Sequence, residues 1–268
     1  MKNGILLLVF FHLSLILHGQ FKFSGSVEPG YEDRFVGFYD STYNTVFPGL
    51  YFSHNLYCAL TFNGEIKGFS FYGTNKINFQ TYSLNTFFPN LNEYKLGARY
   101  TRKCFFAGYN HLRSNTINEK SFSEAYDRLF LGLEFINLNS DSCKILNVGG
   151  SVEIGYENRY FSFYNPPNLD PWHITKSRDN FYSLLKLSGR IRGVNFYASN
   201  KTYFSPDNLF SYSPLLAEYI LGLSYSTNKF SFGWEHMCTH AVEDFYFRDG
   251  YDKVYLHFVL FDKILNKK

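Results

Sequence analysis

Apolar and polar residues alternate along much of the chain. In 229–238, Phe230, Phe232, Trp234 and His236 take every second place, with Ser231, Gly233 and Glu235 between them. In 93–101, Tyr94, Leu96, Ala98 and Tyr100 alternate with Glu93, Lys95, Gly97 and Arg99. A period of two sends alternate side chains to opposite faces of a strand. The pattern predicts twelve strands, near 22–39, 55–62, 66–74, 93–101, 104–112, 125–136, 147–164, 180–187, 191–199, 218–226, 229–238 and 251–261. Short turns are expected at Asn63-Gly64, Thr101 to Lys103, Ser188 to Arg190 and Thr227-Asn228, Asn-Gly being a strong hairpin signal. The stretches 40–54, 75–92, 113–124, 165–179, 200–217 and 239–250 are polar or contain proline and read as long loops.

The twelve predicted strands fall into two sets of six, because the sequence repeats at a constant shift of 125 residues. SGSVEPGYEDRFVGFY at 24–39 returns as GGSVEIGYENRYFSFY at 149–164. IKGFSFYGTNK at 66–76 returns as IRGVNFYASNK at 191–201, and Tyr126-Asp127 as Tyr251-Asp252. A repeat of this length exceeds any solenoid unit. It is read as a duplicated half-barrel, with repeat one at 21–136, repeat two at 146–261, and a joint at Asn137 to Lys144. Short turns at one rim and long loops at the other is the pattern of outer-membrane barrels.

Composition changes the picture in one respect. Aromatic residues make up 21% of the chain, with 31 Phe and 23 Tyr, and charged residues only 18%. A barrel with a lipid-facing wall and two aromatic girdles uses rings in that number. Residues 1–19 read as a signal peptide, with Lys2, an apolar stretch from Ile5 to Leu17, and Gly19 before the expected cut. No later segment is an apolar run long enough to span as a helix, so a membrane-spanning mature chain, 20–268, is expected to be a single barrel. A soluble β-sandwich or lipocalin-like barrel would also alternate, and is the competing fold. The net charge of +3 is not clustered, so nucleic acid is not an expected partner.

Glu28, Glu32, Arg34, Glu93, Lys95, Arg99, Arg128, Glu134, Glu153, Glu157, Arg159, Glu218 and Glu235 are assigned to the lumen. Long side chains of both signs in a twelve-stranded barrel favour a narrow or filled lumen over a wide pore. The sharpest chemical signal is GYNHLRSN at 108–115 and its repeat GWEHMCTH at 233–240. Each His closes a strand at the long-loop rim, on the outward face. Symmetric hairpins would set His111 opposite Asp127 and His236 opposite Asp252. A carboxylate beside an imidazole fixes its tautomer and raises its basicity. Ser114, Cys238 and Thr239 are the candidate nucleophiles. His236 and His240, followed by Glu243 and Asp244, offer an alternative metal-ligand set. The plainer reading is that His, Tyr and Trp sit in the interfacial belt for their amphipathic character.

About thirty residues of each half resemble the outer-membrane lipid A deacylase family, which has a His-x-Ser element at a strand end and an acidic residue on the next strand. His236-Met237-Cys238 keeps the spacing with Cys in place of Ser, whereas Ser114 lies three residues after His111. The resemblance implies a lipid-facing acyl hydrolase, with His236 as base, Asp252 as its orienting partner, and Cys238 or Thr239 as nucleophile.

The sequence thus predicts an all-β, twelve-stranded antiparallel transmembrane barrel of the outer membrane of a diderm bacterium. Three roles follow: a barrel with a narrow or filled polar lumen, an acyl hydrolase, or a small-solute channel. Outer-membrane lipid is the expected partner, with small solutes as the alternative. The sequence fixes neither a cofactor nor an oligomeric state.

Overall fold

The computed structural model describes residues 21–38, 51–83, 86–116, 122–139, 146–164, 173–204, 214–241 and 247–265. They form twelve strands: β1 (Phe21–Phe38), β2 (Tyr51–Ile66), β3 (Phe69–Ser83), β4 (Thr86–Arg102), β5 (Phe105–Thr116), β6 (Phe122–Asn139), β7 (Leu146–Tyr164), β8 (His173–Ile191), β9 (Val194–Phe204), β10 (Pro214–Ser226), β11 (Phe230–Ala241) and β12 (Phe247–Leu265). Each pairs antiparallel with its sequence neighbours, and β1 pairs with β12 to close the barrel. Closure leaves no open sheet edge, which a strand-built structure needs in order to sit in lipid.

Burial is inverted relative to a soluble protein. Phe105, Leu131 and Ile154 are exposed at 63%, 62% and 62%, while Glu157 and Lys201 are 0% and 2% exposed. The exposed Leu, Ile, Val and Phe lie on every strand from β2 to β12 and form one apolar wall. Phe62, Phe69, Phe71, Tyr100 and Phe105 belt the wall at the short-turn end, and Tyr31, Tyr94, Tyr109, Tyr219 and Trp234 belt it toward the other end. An apolar wall between two aromatic girdles is the surface of a transmembrane barrel. It rules out the soluble sandwich.

The strands run well past the predicted limits. Stretch 75–92, expected to be a loop, is strand except at 84–85, which lie outside the described residues. Parts of 40–54, 113–124, 165–179, 200–217 and 239–250 are likewise strand. The hairpin turns also move. Asn63 and Gly64 belong to β2, and the turn is Lys67-Gly68, with φ of 46° and 82°. Ser188 to Arg190 belong to β8, and the turn is Arg192-Gly193, with φ of 48° and 89°. Positive φ at both central residues matches the right-handed twist of the flanking strands, which explains the glycine. Thr101 and Arg102 belong to β4; Lys103-Cys104, with Lys103 at φ 56°, makes that turn. The expected leader and Cys143 lie outside the described residues. Among the described residues, Cys58, Cys104 and Cys238 form no disulfide.

Inside the barrel, rings lie flat on glycines of the next strand. A Cβ on Gly155 would stand 2.4 Å from the Leu129 carbonyl oxygen and 2.5 Å from the Tyr182 hydroxyl. At Gly30, the position 125 residues earlier, it would stand 2.5 Å from Tyr57 Cζ. Neither contact is tolerable for a real side chain, and at Gly155 one neighbour is backbone. Gly155→Ala is therefore expected to cost about 1–3 kcal/mol of folding free energy, the usual range for overpacking. Urea titration of the vesicle-inserted protein measures it.

Candidate functional site: the lumen and the rim pairs

The lumen holds a cavity of about 720 Å³ to which all twelve strands contribute. It runs from Asn63, Ser231 and His257 near the short-turn end to Arg34, Glu124 and Arg159 near the other. Lys186 and Ser188 face inward yet remain solvent-exposed, as expected of a wetted wall.

Charge in the lumen is balanced. Arg34, Lys76, Lys95, Arg99, Arg128, Arg159, Lys186, Lys201 and Lys253 face Glu28, Glu32, Glu93, Glu124, Glu134, Glu153, Glu157, Glu218 and Glu235, nine of each sign among the residues that line the luminal cavities or pair with those that do. Lys76 pairs with Glu32, and Lys201 with Glu157 at 2.5 Å. These two pairs occupy equivalent places in the two repeats, as do the hydrogen bonds from Tyr57 to Glu28 (2.8 Å) and from Tyr182 to Glu153 (2.7 Å). Arg128 donates to Glu157 at 2.8 Å, and Arg159 Nη1 is 4.0 Å from its other oxygen. Lys253 and Tyr251 share Glu235 at 2.9 and 2.6 Å. Arg99 binds Glu134 at 2.6 Å.

Among the described residues, an ion pair crosses the lumen. Arg34 on β1 reaches Glu124 on β6 at 3.5 Å, although β2 to β5 separate those strands. Glu124 is also bound by Arg159 on β7, which is Arg34 displaced by 125 residues. Two equivalent arginines thus hold a single carboxylate, and the bridge narrows the lumen toward the long-loop end. The inward residues assigned from sequence face the lumen as expected. Lys76, Glu124, Lys186, Lys201 and Lys253 were not among them. Lys76, Glu124 and Lys201 fell in stretches read as loops.

The rim pairs form on the outer wall. His111 Nδ1 meets Asp127 Oδ1 at 2.9 Å, and His236 Nδ1 meets Asp252 Oδ1 at 3.0 Å. In each case the two residues are direct cross-strand partners. The Tyr109 hydroxyl also donates to Asp127. The Trp234 ring stacks on His236, centroids 6.2 Å apart. Engagement through Nδ1 leaves Nε2 of both His rings directed away from the carboxylate. Cys238 lies two residues beyond His236 on the same outward face. Ser114 and Thr239, 0% and 4% exposed, are on the opposite, inward face. The His240 side chain, Glu243 and Asp244 lie outside the described residues. No group of three metal-ligating side chains forms among the described residues.

The pairs extend into longer rows. His111, Asp127, Asn158 and Asp179 are successive cross-strand partners on β5 to β8. His236, Asp252, Asp33 and His54 are successive partners on β11, β12, β1 and β2. Each position in one row is a position in the other displaced by 125 residues. Asn158 donates to Asp179 at 2.5 Å, and His54 Nδ1 lies 3.1 Å from Asp33. Asp33, His54, Asn158 and Asp179 were not singled out from sequence. The repeat aligns Asp33 with Asn158 and His54 with Asp179, but His54 and Asp179 were read as loop.

No protein-family model matches the chain, and no characterised protein sequence matches it. Among solved structures, it is similar to a KdgM porin in complex with disordered oligogalacturonate, at 10% identity, covering 87% of this chain and 98% of that one, with a TM-score of 0.43. It is similar to the NanC porin at 13% identity, covering 88% and 99%, with a TM-score of 0.43. It is also similar to the translocator domain of autotransporter NalP from Neisseria meningitidis, at 8% identity, covering 88% of each chain, with a TM-score of 0.42. At such similarity the fold of this chain rests on its own strand pairing: it is a closed twelve-stranded antiparallel transmembrane β-barrel.

Proposed function

We propose that the protein is a narrow, water-filled channel of the outer membrane of a diderm bacterium, passing small polar solutes. The observation that carries this reading is a polar cavity lined by all twelve strands. Spread over an apolar band about 25 Å tall, that volume corresponds to a mean cross-section of about 30 Å², a few water molecules wide. Such a passage suits ions, amino acids and small acids, and is too tight for oligosaccharides. Vesicle swelling tests it. Purified protein in liposomes should admit glycine and acetate and exclude a trisaccharide. Liposomes as tight as protein-free controls to every solute would overturn the reading.

A second reading has its own observation. The His236–Asp252 pair, with Cys238 on the same lipid-facing wall, resembles the base and orienting acid of an acyl hydrolase acting on outer-leaflet lipid. Mass spectrometry of membrane lipids decides it. Hydrolase action predicts acyl loss with the intact protein and none with His236→Ala or His111→Ala at equal barrel levels. Identical lipids in all samples would remove this reading.

A further inference from the structure

Three of the lumen cations named above have no charged counterpart in the other repeat: Lys95, Lys186 and Arg99, whose counterpart is Ser224 and which is held by Glu134. Lys95 on β4 corresponds to Ile220 on β10, and Lys186 on β8 corresponds to Thr61 on β2. The scaffold pairs, Glu32 with Lys76 and Glu157 with Lys201, are kept in both halves. Every other lumen cation named above sits in an ion pair. Among the described residues Lys95 and Lys186 make no hydrogen bond or ion pair. Both line the same cavity, and Lys186 is exposed to it. Glu153, the carboxylate within electrostatic reach of Lys186, already accepts a 2.7 Å hydrogen bond from Tyr182. Arg128 and Arg99 add positive potential on the same side.

An unpaired ammonium on a wetted wall keeps its donors free for whatever passes. Two of them on one side of a passage a few waters wide act on every solute in it. Conduction needs binding firm enough to draw an ion in and weak enough to release it. Two ammonium groups on the cavity wall without a carboxylate partner meet that condition, whereas the buried arginines, already held by carboxylates, do not.

We propose that Lys95 and Lys186 form a transit site for small anions, making the channel anion-preferring although its lumen is charge-balanced. This rests on the channel reading and names its solute class. The test is the reversal potential of purified protein in a planar bilayer under a tenfold potassium chloride gradient, with chloride as the probe anion. Wild type should favour chloride over potassium by at least about twofold. Lys95→Ile with Lys186→Thr, the residues the other repeat holds at these places, should lose that preference and still conduct. Each single variant should lose part of it, so the test survives if the double variant fails to fold. Equal permeability in wild type, or a preference unchanged in the variants, would overturn the anion site and leave the channel standing. Absence of current in folded wild type would overturn the channel reading and this inference with it.

Discussion

Glu157→Ala should cost the barrel about 3–5 kcal/mol, the usual effect of removing one partner from a buried ionic cluster. Glu157 is fully buried and stands between three cations: Lys201 at 2.5 Å, Arg128 at 2.8 Å and Arg159 at 4.0 Å. Truncation removes the counter-charge and leaves the positive groups of β6, β7 and β9 facing one another without the carboxylate between them. Lys201, 2% exposed, has nowhere to turn without breaking its 2.7 Å contact with the Tyr203 hydroxyl. Urea titration of the vesicle-inserted protein gives the change. Glu157→Gln keeps the shape and one acceptor, so it should fall between wild type and Ala. A loss below about 1 kcal/mol in the Ala variant, the range of exposed pairs, would mean that water reaches the cluster.

Arg34→Ala should widen the passage. Arg34 is the half of the bridge that crosses from the far wall, and Glu124 keeps its pairing with Arg159 when Arg34 is gone. The cost in stability is therefore smaller than for Glu157→Ala, while the gain in open section is large. Single-channel conductance should rise by at least about twofold, because conductance through a short constriction follows its narrowest section. Unchanged conductance would place the limiting section elsewhere in the barrel. Arg34→Lys, which keeps the charge on a different head group, should give an intermediate value.

The two faces of the strands could be read from the sequence because lipid and lumen differ so sharply in polarity. Phe230, Phe232 and Trp234 face outward and Glu235 inward, as the alternation requires. The rim pairs were legible for a related reason: His111 with Asp127 and His236 with Asp252 follow from hairpin symmetry alone. Strand length was not legible. Beyond the apolar band both faces of a strand meet polar surroundings, so alternation fades and Asn75, Lys76 and Asn78 look like loop. Their place in β3 brings Lys76 to Glu32, a contact 44 residues away in sequence. The Asn63-Gly64 signal misled for a packing reason. A Cβ on Gly64 would stand 2.1 Å from the Phe71 ring, so this glycine makes room for a neighbouring side chain and the chain turns at Gly68 instead. The cross-lumen bridge depends on closure of the barrel, which no local pattern encodes.

The most direct test of the account is single-channel recording from the purified wild-type protein in a planar bilayer, with heat-modifiable gel migration confirming a folded barrel. A water-filled lumen narrowed by the Arg34–Glu124 bridge predicts small, discrete, ohmic current steps. A folded, inserted protein that passes no current at any voltage would contradict it.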